Sequence, residues 1–307
     1  MPEFSAPIRC TATCETRLAG RREVVRYVRN GRSFLNTRAL LVILALTATA
    51  APGMVMGGSG GGPHGSSPKF GQSGQSQDSS DPGRDALRQI VQNQCVVDWI
   101  QQQDPAPCER VFLANDKFEG SGYAILPDKK GAAHYLLIPT QTMRGEDSDE
   151  LLDPDMPNYF AEAWKARDVI TKFVGHPVAR TAIGLAVNNA HSRTQNQFHI
   201  HIDCLRKDVA DSLHAAADRL TQAWAPIDLL GSTYQAMRID ALNLDGTSPF
   251  DLLAQMSPDV RHHMGEYTVV IAGMQYKSGA GFVMLTGTGA TGELLLDSSC
   301  AVAGAGG

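Results

Sequence analysis

The stretch RTQNQFHIHIDC, Arg193 to Cys204, repeats with period two. Phe198, Ile200 and Ile202 fall on one side. Gln197, His199, His201 and Asp203 fall on the other, because successive side chains of a strand point to opposite faces. A helix would scatter these seven residues around its axis. The chain is therefore committed here to a strand whose apolar side sits on a core and whose polar side presents four hydrogen-bonding groups in a row.

The neighbouring segments tell what such a strand joins. Residues 85–101 read as a helix with Leu87, Ile90, Val91 and Cys95 on one stripe. GYAILP (122–127) and HYLLIP (134–139) flank a DKKG turn and read as a hairpin. An acidic loop, 145–155, leads to a helix in NYFAEAWKARDVITKFVG that Gly175 stops. In TAIGLAVNN, bulky Ile183, Leu185 and Val187 alternate with small Ala182, Gly184 and Ala186, a strand whose small face fits under a ligand or a helix. Residues 207–224 read as a helix, and EYTVVIAGMQ and GFVMLTG as a last hairpin. This order predicts an α+β fold, an antiparallel β-sheet with helices packed on one side. No internal repeat stands out.

The chain's 307 residues suffice for this one domain plus a leader. Residues 1–38 carry eight arginines, no lysine and three glutamates, a net charge of +5, whereas the remainder carries −10. Residues 39–56, ALLVILALTATAAPGMVM, hold no charge, and Pro52 and Gly53 cut their best helical part to 39–51. That is short of the roughly 20 residues of a full span. A cleaved signal segment and a retained anchor both fit. Either sends the rest of the chain outward, since the arginines stay inside. Residues 57–84 are Gly-, Ser- and Gln-rich and read as a flexible tether, with His64 solvated in it. The domain then runs from 85 to 300, and 301–307 read as a flexible tail. The acidic body lacks a basic patch interleaved with aromatics, so a nucleic-acid partner is set aside.

Cys10 and Cys14 lie in the basic head. Cys95, Cys108, Cys204 and Cys300 remain, an even number that suggests two disulfides with three possible connectivities. Cys95–Cys108, closing a polar loop, and Cys204–Cys300, tying the tail to the histidine strand, are the favoured pairs.

The polar row admits four readings. It is a set of hydrogen-bonded structural histidines. It holds a metal, with Asp203 or His191 as third ligand. It is a nucleophilic phosphate site, in which imidazole attacks phosphorus and leaves again while Asn188, Gln195, Gln197 and His201 donate to the phosphate oxygens. Or it binds a nucleotide without cutting it. Arg193 is either a phosphate ligand or a solvated loop arginine. His191 reads as solvated, His262 and His263 as an exposed helix end, Trp164 as core and Arg167 as a surface charge.

NNAHSRTQNQFHIHI and AAHYLLIP resemble the histidine-triad superfamily, whose strand carries His-x-His-x-His. LLIPT, NYFAEAWKARD, SRTQNQFHIHIDCLRKDV, HMGEY and the four body cysteines look more closely like the CDP-diacylglycerol pyrophosphatase family of bacterial inner-membrane hydrolases, over roughly 85–300. The resemblance implies hydrolysis of the lipid CDP-diacylglycerol to CMP and phosphatidate, without a metal or other cofactor. It implies that His199 is the nucleophile and forms a cytidylyl-histidine. It further implies that His201, Gln195 and Asn188 or Asn189 contact phosphate, and that His134 lies near base and ribose. It places the chain in the inner membrane as a single-pass protein with a periplasmic domain, or in the periplasm after cleavage. Dimers are common in the superfamily, so a homodimer is an open expectation. The departure is Gln197, where the triad has its first histidine. A glutamine still offers a carbonyl and an NH₂ group, and a related nucleotide hydrolase, a nucleotidyl transferase and a binding-only variant stay as alternatives.

Overall fold

Alternating segments such as Ile183–Val187 and Ile200–Cys204 do become neighbouring strands of one large sheet. The computed structural model describes residues 83–114, 122–129, 133–289 and 291–306. It also describes a two-residue antiparallel pair, Arg17–Leu18 with Arg21–Arg22, in a separate N-terminal unit of residues 1–72. Apart from that pair, the basic head, the apolar segment 39–56 and the tether up to residue 82 lie outside the described residues. Among the described residues no helix is long and apolar enough to cross a membrane.

The strands are β1 (Arg110–Phe112), β2 (Tyr123–Pro127), β3 (Tyr135–Pro139), β4 (Ile183–Val187), β5 (Ile200–Cys204), β6 (Ala225–Leu229), β7 (Ser232–Ile239), β8 (Thr268–Tyr276) and β9 (Gly279–Gly287). They pair antiparallel throughout in the order β1-β2-β3-β5-β4-β8-β9-β7-β6. The helices are α1 (Ala86–Ile90) and α2 (Val96–Gln102), joined by a π turn over Val91–Cys95, then α3 (Tyr159–Ala166), α4 (Asp168–Val174), α5 (Lys207–Ala216), α6 (Pro249–Ala254) and α7 (Pro258–His262). Asn158 caps α3 by accepting from the Ala161 N–H, and Gly175, at φ 78°, ends α4 as expected.

A repeat invisible in the sequence emerges in the topology. Read outward from the central β4·β8 pair, one half runs β4-β5-β3-β2, with β1 added at its edge, and the other β8-β9-β7-β6. In each half, two strands are followed by a helix pair (α3–α4 or α6–α7) and two more strands, and a helix precedes the whole (α1–α2 or α5). Such a repeat escapes the sequence because a sheet needs only the alternation of apolar and polar positions, not particular residues.

Helices lie on both faces, which corrects the expectation of one. On one face Leu137, Leu185, Ile200, Ile202, Ile271 and Phe282 pack with Phe160, Trp164 and Ile170 of α3–α4 and Phe250 and Val260 of α6–α7. On the other, Leu126, Leu136 and Ile138 lie under Val91, Cys95 and Val96 of the first helical segment. Further along that face, Ala186, Val270 and Leu285 lie under Val209 and Leu213 of α5 and under Leu295 and Leu296. A sheet this wide has two apolar faces to cover. The small face of β4 is part of this: a Cβ at Gly184 would stand 2.6 Å from Leu296 Cδ2 and 2.7 Å from Leu205 Cδ2. Strand β5 runs between the two covered ends.

The helix expected over 207–224 stops at Ala216, and the following residues form β6 and β7. Leu230 and Gly231, at φ 53° and 79°, make the tight turn between them, a conformation that right-twisted hairpins favour. Helices α6 and α7 carry the Ser-Pro start signal, with Ser248 and Ser257 accepting from the N–H of Asp251 and Val260. The favoured disulfides, Cys95–Cys108 and Cys204–Cys300, both form. The tail expected to be loose makes a 3₁₀ helix, Ala301–Gly306, with Val302 and Ala303 packed on the core.

Candidate active site

Strand β5 delivers the row as its alternation demands. Ile200 and Ile202 enter the core, and His201 and Asp203 face the gap between the two helical covers. His199 stands just before the strand, and Gln197 bridges to Arg144.

His199 Nδ1 lies 2.8 Å from the carbonyl oxygen of Gln197. A carbonyl only accepts, so the proton sits on Nδ1 and Nε2 keeps its lone pair. Burial lowers the pKa of this imidazole, which outweighs the carbonyl and the nearby Glu293 and Asp128. His199 is therefore a neutral base with a fixed tautomer. It opens, with His201, Thr194 and Gln195, onto a cavity of about 540 Å³ whose apolar wall includes Leu87, Ile90, Leu126 and Leu136.

Gln197 places its carbonyl there because its side chain is committed elsewhere. Nε2 donates to the carbonyls of Pro139 (3.1 Å) and Gln141 (2.7 Å), and Oε1 accepts from Met143 N–H (3.3 Å). It supports His199 and offers no side-chain group to the cavity.

His201 is 3% exposed. Its Nδ1 lies 2.7 Å from Nε2 of His134, and its Nε2 lies 3.4 Å from Asn188 Nδ2 and 3.9 Å from Glu293 Oε2. Asn188 is held in turn by Glu293. Its Nδ2 donates to Glu293 Oε2 (3.2 Å) and its Oδ1 accepts from Glu293 N–H (3.1 Å). Asn189 instead shapes the loop, accepting from the N–H of His191 and Ser192, so Asn188 is the one of the pair beside the histidines. His134, expected near a base or ribose, is packed against His201 and against Asp203, whose Oδ2 lies 3.3 Å from its Nδ1. Gln195 lines the cavity and ties its loop to the first helix, accepting from Leu87 N–H and donating to the Gly83 carbonyl.

Arg193 is neither a solvated residue nor one turned to the cavity. Its Nη1 contacts Glu146 Oε1 at 3.0 Å and Asp147 Oδ1 at 2.8 Å. The guanidinium passes over Gly145, at φ 50°, where a Cβ would fall 1.8 Å from Nη1. Burial pushes the Glu146 carboxyl up to about 7 in spite of Arg193. His191, His262 and His263 are exposed and Trp164 is core, as expected. Arg167 lies over the Trp164 ring, 4.4 Å from its centroid.

A metal would find ligand atoms of Asp128, His134 and His201 within 4.8 Å of one another. Two of these, His134 Nε2 and His201 Nδ1, already bond to each other. Neither expected third ligand, Asp203 or His191, belongs to this group. Sequence reasoning missed Asp128 and Glu293. Both come from turns far from the row in sequence, and nothing in DKKG or TGELLL marks them.

The family model for CDP-diacylglycerol pyrophosphatase matches residues 82–304, a span that includes both halves of the sheet, the cavity and both disulfides.

Proposed function

The chain belongs to the CDP-diacylglycerol pyrophosphatase family and hydrolyses CDP-diacylglycerol to CMP and phosphatidate, and from that premise we propose that Nε2 of His199 is the nucleophile. Nε2 attacks the phosphorus next to cytidine. An N–P bond forms, the bond from that phosphorus to the bridging oxygen breaks, and its electron pair leaves on phosphatidate. Water then attacks the same phosphorus, the N–P bond breaks, its pair returns to Nε2, and CMP departs. One water is consumed, and its protons pass to the products and solvent.

The observation that carries this reading is the 2.8 Å contact of His199 Nδ1 with the Gln197 carbonyl. It directs the lone pair to Nε2 before attack, and it steadies the imidazolium that exists while Nε2 is bonded to phosphorus. His201 and Asn188 are the donors beside it for the phosphate oxygens, and Gln195 flanks the entrance. On this reading the site is of histidine-triad type with its first histidine replaced.

The same reading puts the catalytic domain outside the bacterial inner membrane, tethered by residues 39–56 or released from them. The Arg-rich head, the uncharged segment and the two disulfides support it. A tethered enzyme meets a lipid substrate at high effective concentration.

The test uses the full chain in detergent micelles with CDP-diacylglycerol and EDTA, following CMP release. Wild type releases CMP with chelator present, His199→Ala does not, and a short quench of wild type with substrate labelled in the cytidine-side phosphate traps label on His199. Turnover by His199→Ala would overturn the nucleophile assignment. Loss of wild-type turnover in EDTA would move the chemistry to Asp128, His134 and His201.

A further inference from the structure

We propose that Arg84 is a positioning residue for this reaction: it fastens the loop 193–196 to the start of α1, and so fixes where Gln195 stands at the cavity and where the Gln197 carbonyl holds His199. The proposal rests on the reading of His199 as nucleophile, and it adds to that reading the contact that sets the place of its loop.

In the sequence Arg84 ends the Gly- and Ser-rich stretch and belongs to no periodic pattern. In the structure it is half-buried, and its partners lie more than a hundred residues away. Its Nε donates to Asn196 Oδ1 at 3.1 Å and its Nη2 to the Arg193 carbonyl at 3.0 Å. Asn196 N–H donates back to the Arg84 carbonyl at 2.7 Å. Nε and Nη2 form one edge of a planar guanidinium, so the two acceptors are held together in one fixed geometry. The residues on either side of Arg84 take the side chain between these acceptors. Gln195 Nε2 donates to the Gly83 carbonyl at 2.9 Å, and its Oε1 accepts from Leu87 N–H at 3.2 Å.

Of the two segments so joined, the helix is the anchor. Val91, Cys95 and Val96 are buried against Leu126, Leu136 and Ile138, and Cys95 is bridged to Cys108. The loop, Arg-Thr-Gln-Asn, has no large apolar side chain to pack. Polar contacts hold it. On one side, Asn196 accepts from Gly145 N–H at 3.1 Å and Arg193 meets Glu146 and Asp147. On the other stands Arg84. One residue beyond the loop comes Gln197, whose carbonyl orients His199. Thr194 and Gln195 themselves line the cavity, with Leu87 and Ile90 across from the histidines. A shift of the loop therefore moves the histidine and its acceptor while the apolar wall stays in place.

Arg84→Ala removes the two side-chain bonds and leaves the backbone one. In full-length protein in detergent micelles we expect kcat for CMP release to fall about tenfold. That is less than the roughly 10²-fold cost of a reacting group misplaced by about 1 Å, because residues 145–147 still hold the loop. KM stays within about twofold, the mark of a residue that acts on the reacting geometry rather than on binding. Tm falls by no more than about 4 °C. Arg84→Lys keeps the charge without the paired donors and should be nearly as slow. Arg88→Ala removes a guanidinium from the same helix whose partner, Asp85, is local at 2.8 Å, and it should stay within about twofold of wild type. Unchanged kcat in Arg84→Ala, an effect on KM alone, full activity in Arg84→Lys or an equal loss in Arg88→Ala would each overturn the proposal. Amide exchange of the full chain, read by mass spectrometry without substrate, decides independently of turnover. Faster exchange in 193–199 of Arg84→Ala, with β4 and β8 unchanged, supports the proposal. Unchanged exchange there refutes it, and so does faster exchange throughout the domain, which would make Arg84 a residue of general stability. Since this readout involves no catalysis, it separates the proposal from the assignment of His199, which the His199→Ala assay tests alone.

Discussion

The carbonyl of Gln197 accepts the Nδ1–H of His199, two residues further along the chain, at 2.8 Å. The residue that breaks the His-x-His-x-His pattern thus orients the proposed nucleophile through its backbone, which any residue could supply. Its side chain has a different task, to hold the carbonyls of Pro139 and Gln141 and the N–H of Met143.

Gln197→Ala should therefore act on stability before chemistry. Removing the carboxamide leaves buried backbone groups without their partner, at about 1–3 kcal/mol for each group that water cannot reach. A loss of roughly 2–4 °C in Tm per kcal/mol is expected for a domain of this size. The acid limb of kcat/KM should not move. Thermal melts and a pH profile on the same protein check it, and a shifted limb with an unchanged Tm would show that the side chain acts on His199 directly.

The low pKa of His199 fixes the sign of a second effect. Burial lowers this imidazole from its ordinary 6.5, so the neutral form, the one the proposed attack needs, persists below that value. The acid limb of kcat/KM should lie below pH 6.5. The unfolded chain takes up a proton near 6.5 that the folded protein refuses, so this group's contribution to stability is complete above 6.5 and is lost as pH falls. His199→Gln should flatten that part of the stability–pH curve, measured by urea unfolding at several pH values.

Arg193 was legible as a residue type but not in its role. A guanidinium one turn from the histidines reads naturally as a phosphate ligand. Its true partners, Glu146 and Asp147, lie 47 and 46 residues away in sequence and reach it because Gly145 adopts a positive φ. Local patterns, by contrast, revealed β2 to β5, the row itself and the last hairpin, through apolar runs about a turn for β2 and β3 and alternation for β4 and β5, since those patterns are properties of one or two neighbouring strands. β6 and β7 were hidden because Ser232–Ile239 mixes buried and exposed positions irregularly and follows a run of good helix formers. The second helical face was hidden because small residues such as Ala186 and Gly184 do not announce whether a ligand or Leu205 and Leu296 lie above them.

From this pairing, Arg193→Ala should destabilise the fold by about 3 kcal/mol, the low end for a broken buried pair because Asp147 is half-exposed. KM should change little. Glu146→Gln should restore much of the loss, because it removes the charge left alone. The pH test is independent. The Glu146 carboxyl rises from an ordinary 4.5 to about 7, so its contribution is complete below 4.5 and declines as pH rises to about 7. Glu146→Gln should abolish that decline. A KM for CDP-diacylglycerol that rises tenfold or more in Arg193→Ala, at unchanged Tm, would return Arg193 to the phosphate.

The two disulfides should differ in what their loss does. Cys204–Cys300 joins residues 96 apart and Cys95–Cys108 residues 13 apart. Restricting the unfolded chain favours the longer loop, with about 4–5 kcal/mol against about 3 on the chain-entropy estimate. Cys300→Ser should thus lower Tm more than Cys108→Ser does. It should also reach the chemistry. Cys204 ends the strand that carries His201, and its N–H holds Asp203 Oδ1. Freed from Cys300, this strand end can shift against His134, so kcat should fall at temperatures well below the melt, with KM nearly unchanged. Melts of both variants with CMP release at low temperature measure the two effects. Equal Tm shifts would mean that native packing, rather than loop length, decides the stability. An unaltered kcat in Cys300→Ser would mean that the sheet alone is enough to keep Asp203 in register with the histidines.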